Sequence, residues 1–321
     1  MDFTRVSAGK DDEGRRLDKI IRRYLSEESL SGLYSALRKG LIKVDGKKRS
    51  PDFRVTEGSE IDIATVLLSE KSSEPSASEE IPEEMILFRN DDLLILNKPY
   101  DLPVQKAQAG DLALADMVTA DYRARHENMT SLSFRPGPLH RLDRKTSGII
   151  VFSQSLRGAQ WFSQAIQSHK IRKIYLALLQ GSLKESMNWD DTIIKNHTSS
   201  DSFKTVTVSE NNTSGKSAHS TATPLASGSY CKKPLTLAEI EISTGRKHQI
   251  RAQAAWHGFP LLGDTAYGGM KIQEEQSFYL HARRLIIGQN PLGLPEEIFS
   301  DISTNFEKMS EKCLINFSSR L

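Results

Sequence analysis

His140–Gly148 reads HRLDRKTSG, one carboxylate, Asp143, set among four residues that are cationic or can become so: His140, Arg141, Arg144 and Lys145. The run lies between the turn residues Pro136–Gly137–Pro138 and the apolar Ile149–Phe152, so its charges sit on a loop that feeds a strand. Neighbouring cations keep a carboxylate ionised, the state in which it serves as a nucleophile or a base. A solvated, salt-bridged loop has the same composition, and these residues alone leave both readings open.

A second unusual run, Ser243–Arg251 (STGRKHQIR), leaves a strand and enters a helix. Thr244 is placed to cap that helix, Gly245 supplies backbone freedom, and Arg246, Lys247, His248 and Arg251 gather positive charge at its start. Phosphate binding without catalysis would use the same pattern. The glycine spacing of a dinucleotide loop is absent, and no GxxxxGK[ST] occurs, so NAD and ATP chemistry recede.

Working outward, Met85–Pro99 (MILFRNDDLLILNKP) predicts a hairpin turning at Asn90–Asp92 and ended by Pro99. The spacing predicts helices over Asp116–His126 and Ser155–His169, and a short one through Ala252–Trp256 stopped by Gly258–Pro260. Strands are predicted at Ile149–Phe152, Ile174–Leu179, Thr205–Val208 and Leu235–Ile242. Without a regular strand–helix alternation, the order predicts an α+β domain built on a mixed, mostly antiparallel sheet with flanking helices.

Upstream the composition changes. Ser69–Glu84 (SEKSSEPSASEEIPEE) holds six acids and one base and almost no large apolar residue, which marks it as a linker, residues 69–84, between two self-sufficient units. From Arg15 to Arg54, by contrast, twelve Lys/Arg face five Asp/Glu. Leu17, Ile20, Ile21, Tyr24 and Leu25, then Leu30, Leu33, Tyr34 and Leu37, fall at helical spacing. LIKVDGKKRS then predicts a hairpin around Asp45–Gly46. The expected unit, residues 12–68, is a small α/β-hairpin domain with Arg22, Arg38, Lys39, Lys43, Lys47 and Lys48 on its outside. The catalytic unit is expected at 85–321.

A chain of 321 residues with 38% hydrophobic and 26% charged residues fits about two globular domains, not a disordered or fibrous chain. No run approaches the roughly 18 apolar residues of a membrane span, and Met1–Lys10 has no secretory layout, so the expectation is a cytoplasmic protein. Cys231 and Cys313 lie far apart without ligand spacing, which predicts neither a metal site nor a disulfide and reads both as small buried hydrophobes. The net charge of +2 averages over opposite local balances and identifies no partner.

Taken in order, these segments resemble the RluA-type pseudouridine synthases, whose HRLDxxTSG motif is matched by HRLDRKTSG. NKPYDLPVQ (Asn97–Gln105) resembles the family's NKPxGLxVH, and RKIYLALLQG (Arg172–Gly181), GKSAHS (Gly215–Ser220), GRKHQIR (Gly245–Arg251), GFPLLGDTAYG (Gly258–Gly268) and LHARRL (Leu280–Leu285) complete the set. The basic unit independently resembles the RNA-binding module named after ribosomal protein S4. Together they resemble the longer family members that modify ribosomal RNA. Asp101 departs from the pattern by replacing a turn glycine, which requires a left-handed backbone that Asp tolerates better than most residues. Lys145 stands where the family often has an acid.

The resemblance implies isomerisation of specific uridines to pseudouridine in RNA, large-subunit ribosomal RNA above all, by a monomer that needs no cofactor, metal or nucleotide and no membrane. It makes Asp143 the nucleophile or base, Arg251 the cation that keeps it ionised, and Tyr175 the ring that stacks on the target base. It further implies that Arg141 fills the gap left by the extruded base, that Leu280 lines the base pocket, that His140 contacts substrate, and that Lys98, Arg144, Arg246 and His248 hold phosphates. Two rivals stand beside this reading. A non-catalytic RNA-binding or ribosome-assembly protein would show decay at Asp143, Tyr175 and Arg251. A carboxylate-nucleophile hydrolase would need a second acid beside Asp143, which folding could supply.

Overall fold

A computed structural model of the chain describes residues 2–25, 28–68, 80–106, 108, 111–126, 131–195, 206–209, 215–273 and 277–313. Most of the expected linker, residues 69–79, lies outside the described residues. Its end does not: Ile81 is buried in the larger core, so the apolar packing of the second unit begins there.

The small unit comprises β1 (Phe3–Ser7), α1 (Leu17–Tyr24), α2 (Leu30–Lys39), β2 (Ile42–Val44) and β3 (Glu60–Ala64). Helix α1 buries Leu17, Ile20 and Ile21, and α2 buries Leu33, Ala36 and Leu37, the i, i+3, i+4 stripes that the sequence displays. Ser29 caps α2 by accepting from the Gly32 amide, and Gly40 ends it with a left-handed φ of 72°. The sheet differs from the expected hairpin. Asp45–Gly46 does make a tight turn, but it closes on one bridge, Val44 with Lys47, and β2 pairs instead with β3, Ile42 opposite Ile63. The sheet order is β1-β3-β2, so Phe3–Ser7, upstream of residue 12, is part of it.

The large unit contains β4 (Ile86–Arg89), β5 (Leu93–Lys98), α3 (Leu114–Arg125), β6 (Ser147–Ser153), α4 (Leu156–Gln167), β7 (Arg172–Gln180), β8 (Met187–Lys195), β9 (Val206–Ser209), β10 (Lys216–Tyr230), β11 (Lys233–Ile242), α5 (Gln249–Trp256), β12 (Leu280–Ile286), β13 (Glu297–Phe299) and α6 (Thr304–Lys312). One sheet runs β4-β5-β6-β12-β7-β11-β10-β8-β9, with β13 beside β12. Among the described residues only the β6–β12 pair is parallel, so the fold is α+β with a mostly antiparallel sheet. That pair closes tightly at Gly148, where φ is +102° and a Cβ would lie 2.3 Å from the Ala282 carbonyl oxygen. Only glycine fits there, which explains the last residue of HRLDRKTSG. Among the described residues no helix is long and apolar enough to cross a membrane.

The two units are docked, not merely tethered. Asp12, with no exposed surface, accepts from the Leu132 amide at 2.7 Å, the Ser133 amide at 3.2 Å and the Ser131 hydroxyl at 2.9 Å, while Leu132 itself is buried in the small unit's core. Asp11 accepts from the Leu156 amide at the start of α4. The expected linker thus does not keep the units apart, and a buried carboxylate served by partner amides is costly to strand. The cysteines also divide. Cys313 is buried, but Cys231 is exposed in the tight β10–β11 turn, with φ 48° at Cys231 and 64° at Lys232.

Candidate active site

The loop carrying HRLDRKTSG is pinned at both ends. Leu139 donates its amide to the Val151 carbonyl at 2.8 Å, the Val151 amide donates to His140 Nε2 at 3.1 Å, and Leu142 is buried in the main core. Burying Leu142 leaves Arg141 and Arg144 in solvent and turns Asp143 into a cleft of about 590 Å³. Tyr175 from β7, Leu280 from β12 and Arg251 from α5 share that cleft.

Arg251 is 9% exposed and grips two carboxylates. Its Nη1 donates to Asp143 Oδ2 at 3.2 Å, and its Nε and Nη2 donate to Asp264 at 2.7 and 2.9 Å. The guanidinium lies over the Phe278 and Tyr267 rings, 4.5 and 5.0 Å from their centroids. Burial opposes its charge, but the Asp264 hydrogen bonds and the charges of Asp264 and Asp143 prevail and hold its pKa above the ordinary arginine value. A bidentate arginine of this kind is fixed in angle as well as charge. Asp143 thus meets a cation that cannot swing away.

His248 stands on the other side of Asp143, in a left-handed conformation at φ 54°, its Nε2 3.7 Å from Asp143 Oδ1. The Tyr267 hydroxyl accepts from the Val206 amide and is 3.0 Å from His248 Nδ1. The Tyr267 hydroxyl thus fixes the ring of His248 through Nδ1 and turns Nε2 towards Asp143. Burial pulls the His248 pKa down to about 4, so the ring is neutral at pH 7 and stands in the Asp143 frame without adding a cation to the cleft.

Tyr175 is 5% exposed, and burial together with the Asp143 charge raises its pKa, so it stands in the cleft as a neutral phenol. His140 is also neutral, because burial drives its pKa down to about 3. It acts as a strut under Val151 while also lining the cleft, and its neutrality corrects its counting as a potential cation.

Lys98, expected at a phosphate, has no exposed surface. Its Nζ donates to the carbonyls of Pro99 and Leu102 at 2.9 Å and of Arg144 at 2.8 Å, tying β5 to the Asp143 loop. Burial pulls its pKa down to about 7, while three carbonyls matched to the three donors of an ammonium favour the charged form. Arg144 pairs with Asp101, Nε to Oδ1 at 3.0 Å, and Asp101 does adopt the left-handed backbone, at φ 64°. The aspartate in place of a turn glycine therefore has a local use.

Arg246 sits half-buried at the cleft rim, its Nε donating to the Ser217 carbonyl at 3.0 Å. Thr244 does not cap α5. The helix starts five residues later, and the Thr244 hydroxyl and the Arg246 amide both donate to Gln249 Oε1. On the small unit Arg22, Arg38, Lys39, Lys47 and Lys48 are exposed, whereas Lys43 is half-buried with its ammonium 4.8 Å from the centroid of the Phe3 ring.

Asp264, Tyr267 and Gln249 are the framing residues that motif reading passed over. GDTAYG was visible in the sequence, but nothing in its spacing says that Asp264 reaches Arg251 or that Tyr267 reaches His248.

With this geometry in hand, residues 92–256, just over half of the chain, match the family model described as RNA pseudouridylate synthase. The chain belongs to that family. Residues 15–61 of this synthase match the S4 domain. It is 25% identical over 317 residues to the ribosomal large subunit pseudouridine synthase C of Vibrio vulnificus, covering 95% of this chain and 94% of that one. It is 29% identical over 263 residues to an uncharacterized RNA pseudouridine synthase of Aquifex aeolicus, covering 80% and 78%. Among solved structures, human RNA pseudouridylate synthase domain containing 1 aligns with a TM-score of 0.54 at 25% identity, over 71% of this chain and 86% of that one. Human RNA pseudouridylate synthase domain containing 4 aligns with a TM-score of 0.55 at 20% identity, over 72% and 94%. The synthase is therefore an isomerase that acts on RNA and carries an RNA-binding S4 domain.

Proposed function

We propose that the protein converts specific uridines of large-subunit ribosomal RNA to pseudouridine, as a cytoplasmic monomer, with Asp143 as the nucleophile or base. The observation that carries this reading is the Asp143 carboxylate held 3.2 Å from a buried arginine, in a cleft shared with Tyr175 and Leu280. The reaction breaks the bond between ribose C1′ and uracil N1, turns the base, joins C1′ to C5, releases the C5 proton and puts a proton on N1, so reactant and product are isomers. No electron or energy source enters. Asp143, oriented by Arg251, acts at the sugar or on the departing proton. Tyr175 stacks on the base while it turns, with Leu280 closing the pocket.

A base inside structured RNA reaches Asp143 only by extrusion, at a cost of a few kcal/mol of stacking. Arg141, exposed beside the cleft, fills the vacated place, while Arg144 and Arg246 meet backbone phosphates at its edges. The relatives named for the large ribosomal subunit support the choice of RNA.

The rivals fare worse. Asp143, Tyr175 and Arg251 are assembled, not decayed. The second acid that folding brings near, Asp264, has both oxygens on Arg251 and is 2% exposed, so it is not free to act as the paired acid of a hydrolase. Pseudouridine mapping of total RNA from cells with and without the protein tests the proposal. Loss of particular large-subunit sites supports it; an unchanged map, or losses confined to transfer RNA, overturns the assignment.

A further inference from the structure

Two lysines of the large unit are buried to a similar depth, and they differ in one respect. Lys98 spends all its donors on three backbone carbonyls. Lys173, 6% exposed and lining the cleft, has neither a hydrogen-bond acceptor nor a carboxylate at its Nζ among the described residues. The charged or chargeable groups coupled to it are Arg246 and the neutral His140, neither of which offers a counter-charge. The side chain is buried but its ammonium tip opens to the cleft, where it stands without a counter-charge, a costly arrangement for a charge largely removed from water. Burial accordingly draws its pKa down to about 8, still leaving it mostly charged at pH 7.

The surroundings are shaped to receive something. Gly245 lies beside the Lys173 ammonium: a Cβ there would sit in ordinary contact at 3.5 Å from Nζ and within 4 Å of nothing else, so no side chain from this position covers the lysine tip. Arg246 is anchored through Nε alone, and its two Nη groups have no partner among the described residues. Lys173 and Tyr175 are two residues apart on β7, both buried and both lining the cleft, so they stand on one face of the strand about 6.6 Å apart. That is the scale separating the base of a nucleotide from its own phosphate.

The geometry points to Lys173, with Arg246 at the rim, as a built-in subsite for a backbone phosphate of the uridine whose base lies against Tyr175. This rests on the assignment of the cleft to uridine in RNA and extends it with a specific anion site. The phosphate supplies the missing counter-charge, and the bound nucleotide in turn forms an ion pair that a free base cannot make. Lys173 is a binding and positioning residue here; the bond changes stay with Asp143.

The test uses the full-length protein and two probes, uridine and uridine 3′,5′-bisphosphate, titrated by calorimetry or NMR at low salt. The wild type is expected to prefer the bisphosphate, and Lys173→Met to cut that preference about tenfold while changing uridine affinity by less than about twofold. Gly245→Asp keeps the lysine and sets a carboxylate beside its ammonium, so it should erase the preference too, and it decides the matter if Lys173→Met does not fold. The single 3′- and 5′-monophosphates identify which phosphate is held, and either assignment supports the subsite. An undiminished bisphosphate preference in the folded variants, or an equal loss of uridine binding, overturns it. Isomerisation by the wild type is scored separately. Turnover with an undiminished preference sinks the subsite alone, whereas a lysine-dependent preference without turnover leaves the subsite standing and sinks the assigned reaction.

Discussion

On the small unit Arg22, Arg38, Lys39, Lys47 and Lys48 stand in solvent, while in the cleft Arg251 and Lys173 are more than nine-tenths buried. The first group can track any phosphate backbone, is screened within about 8 Å at physiological salt, and constrains no angle. The second has lost its water and must be answered by fixed partners: Asp143 and Asp264 for Arg251, and an incoming phosphate for Lys173. On the proposed function, exposed charge supplies grip on RNA and buried charge supplies placement of one nucleotide. Replacing a charge in one region should not imitate replacing a charge in the other.

The largest effect is expected in the cleft. Arg251→Lys keeps the charge but cannot hold Asp143 and Asp264 together, so kcat/KM should fall about 10²-fold with RNA binding retained. Asp264→Asn, which loosens the same guanidinium without touching Asp143, should cost less, about tenfold. Steady-state kinetics on one RNA checks both, and an active Arg251→Lys enzyme would mean that charge alone suffices.

Next comes the joint between the regions. Asp12→Ala leaves the Leu132 amide and the Ser131 hydroxyl without their acceptor and should lower stability by about 2–3 kcal/mol, read from the denaturant midpoint. An unchanged midpoint would show that the docking contributes nothing and that the units are as independent as the sequence suggested.

The buried histidines give a pH signature. His140, His248 and His281 have folded-state pKa values lowered to about 3, 4 and 4 by burial, below the ordinary 6.5 of an unfolded chain. Below pH 6.5 the unfolded state therefore binds protons first. Stability should be full above that pH and decline as pH falls towards 4. Denaturant melts at pH 7, 5.5 and 4.5 would show it, and equal stability at all three would contradict the buried, neutral rings.

The smallest effect on chemistry belongs to the exposed face. Replacing Arg38, Lys39, Lys47 and Lys48 with Ala should raise KM, leave kcat at saturation unchanged, and flatten the salt dependence by about 0.7 in slope for each phosphate that is no longer neutralised. An unaltered slope would remove these residues from the RNA interface.

How much of this was legible in the sequence varies with the kind of signal. The apolar runs of β6, β7 and β11 and the Asn90–Asp92 hairpin announce themselves, because buried strands must be apolar and tight turns need particular residues. Strand β10 does not. It runs fifteen residues through Ser, Thr, Gly and Pro224, and only some of them are buried. Asp45–Gly46 gives a true turn but a false hairpin, because a turn signal does not say how far the ladder continues and the partner of β2 lies beyond residue 59. The Asp143–Arg251 pair was readable from motifs. The contrast between Lys98 and Lys173 was not, since only the folded backbone decides which ammonium finds carbonyls.

The central claim is that Asp143 performs the chemistry inside a frame built by Arg251, Asp264 and His248. Isomerisation replaces the C5–H bond of uridine, so release of tritium from RNA labelled at uridine C5 counts turnovers directly. The account predicts release with the wild type and none above the protein-free background with Asp143→Asn, while the variant melts at the same temperature and binds RNA as before. Measurable release by a sequence-verified Asp143→Asn protein would contradict it.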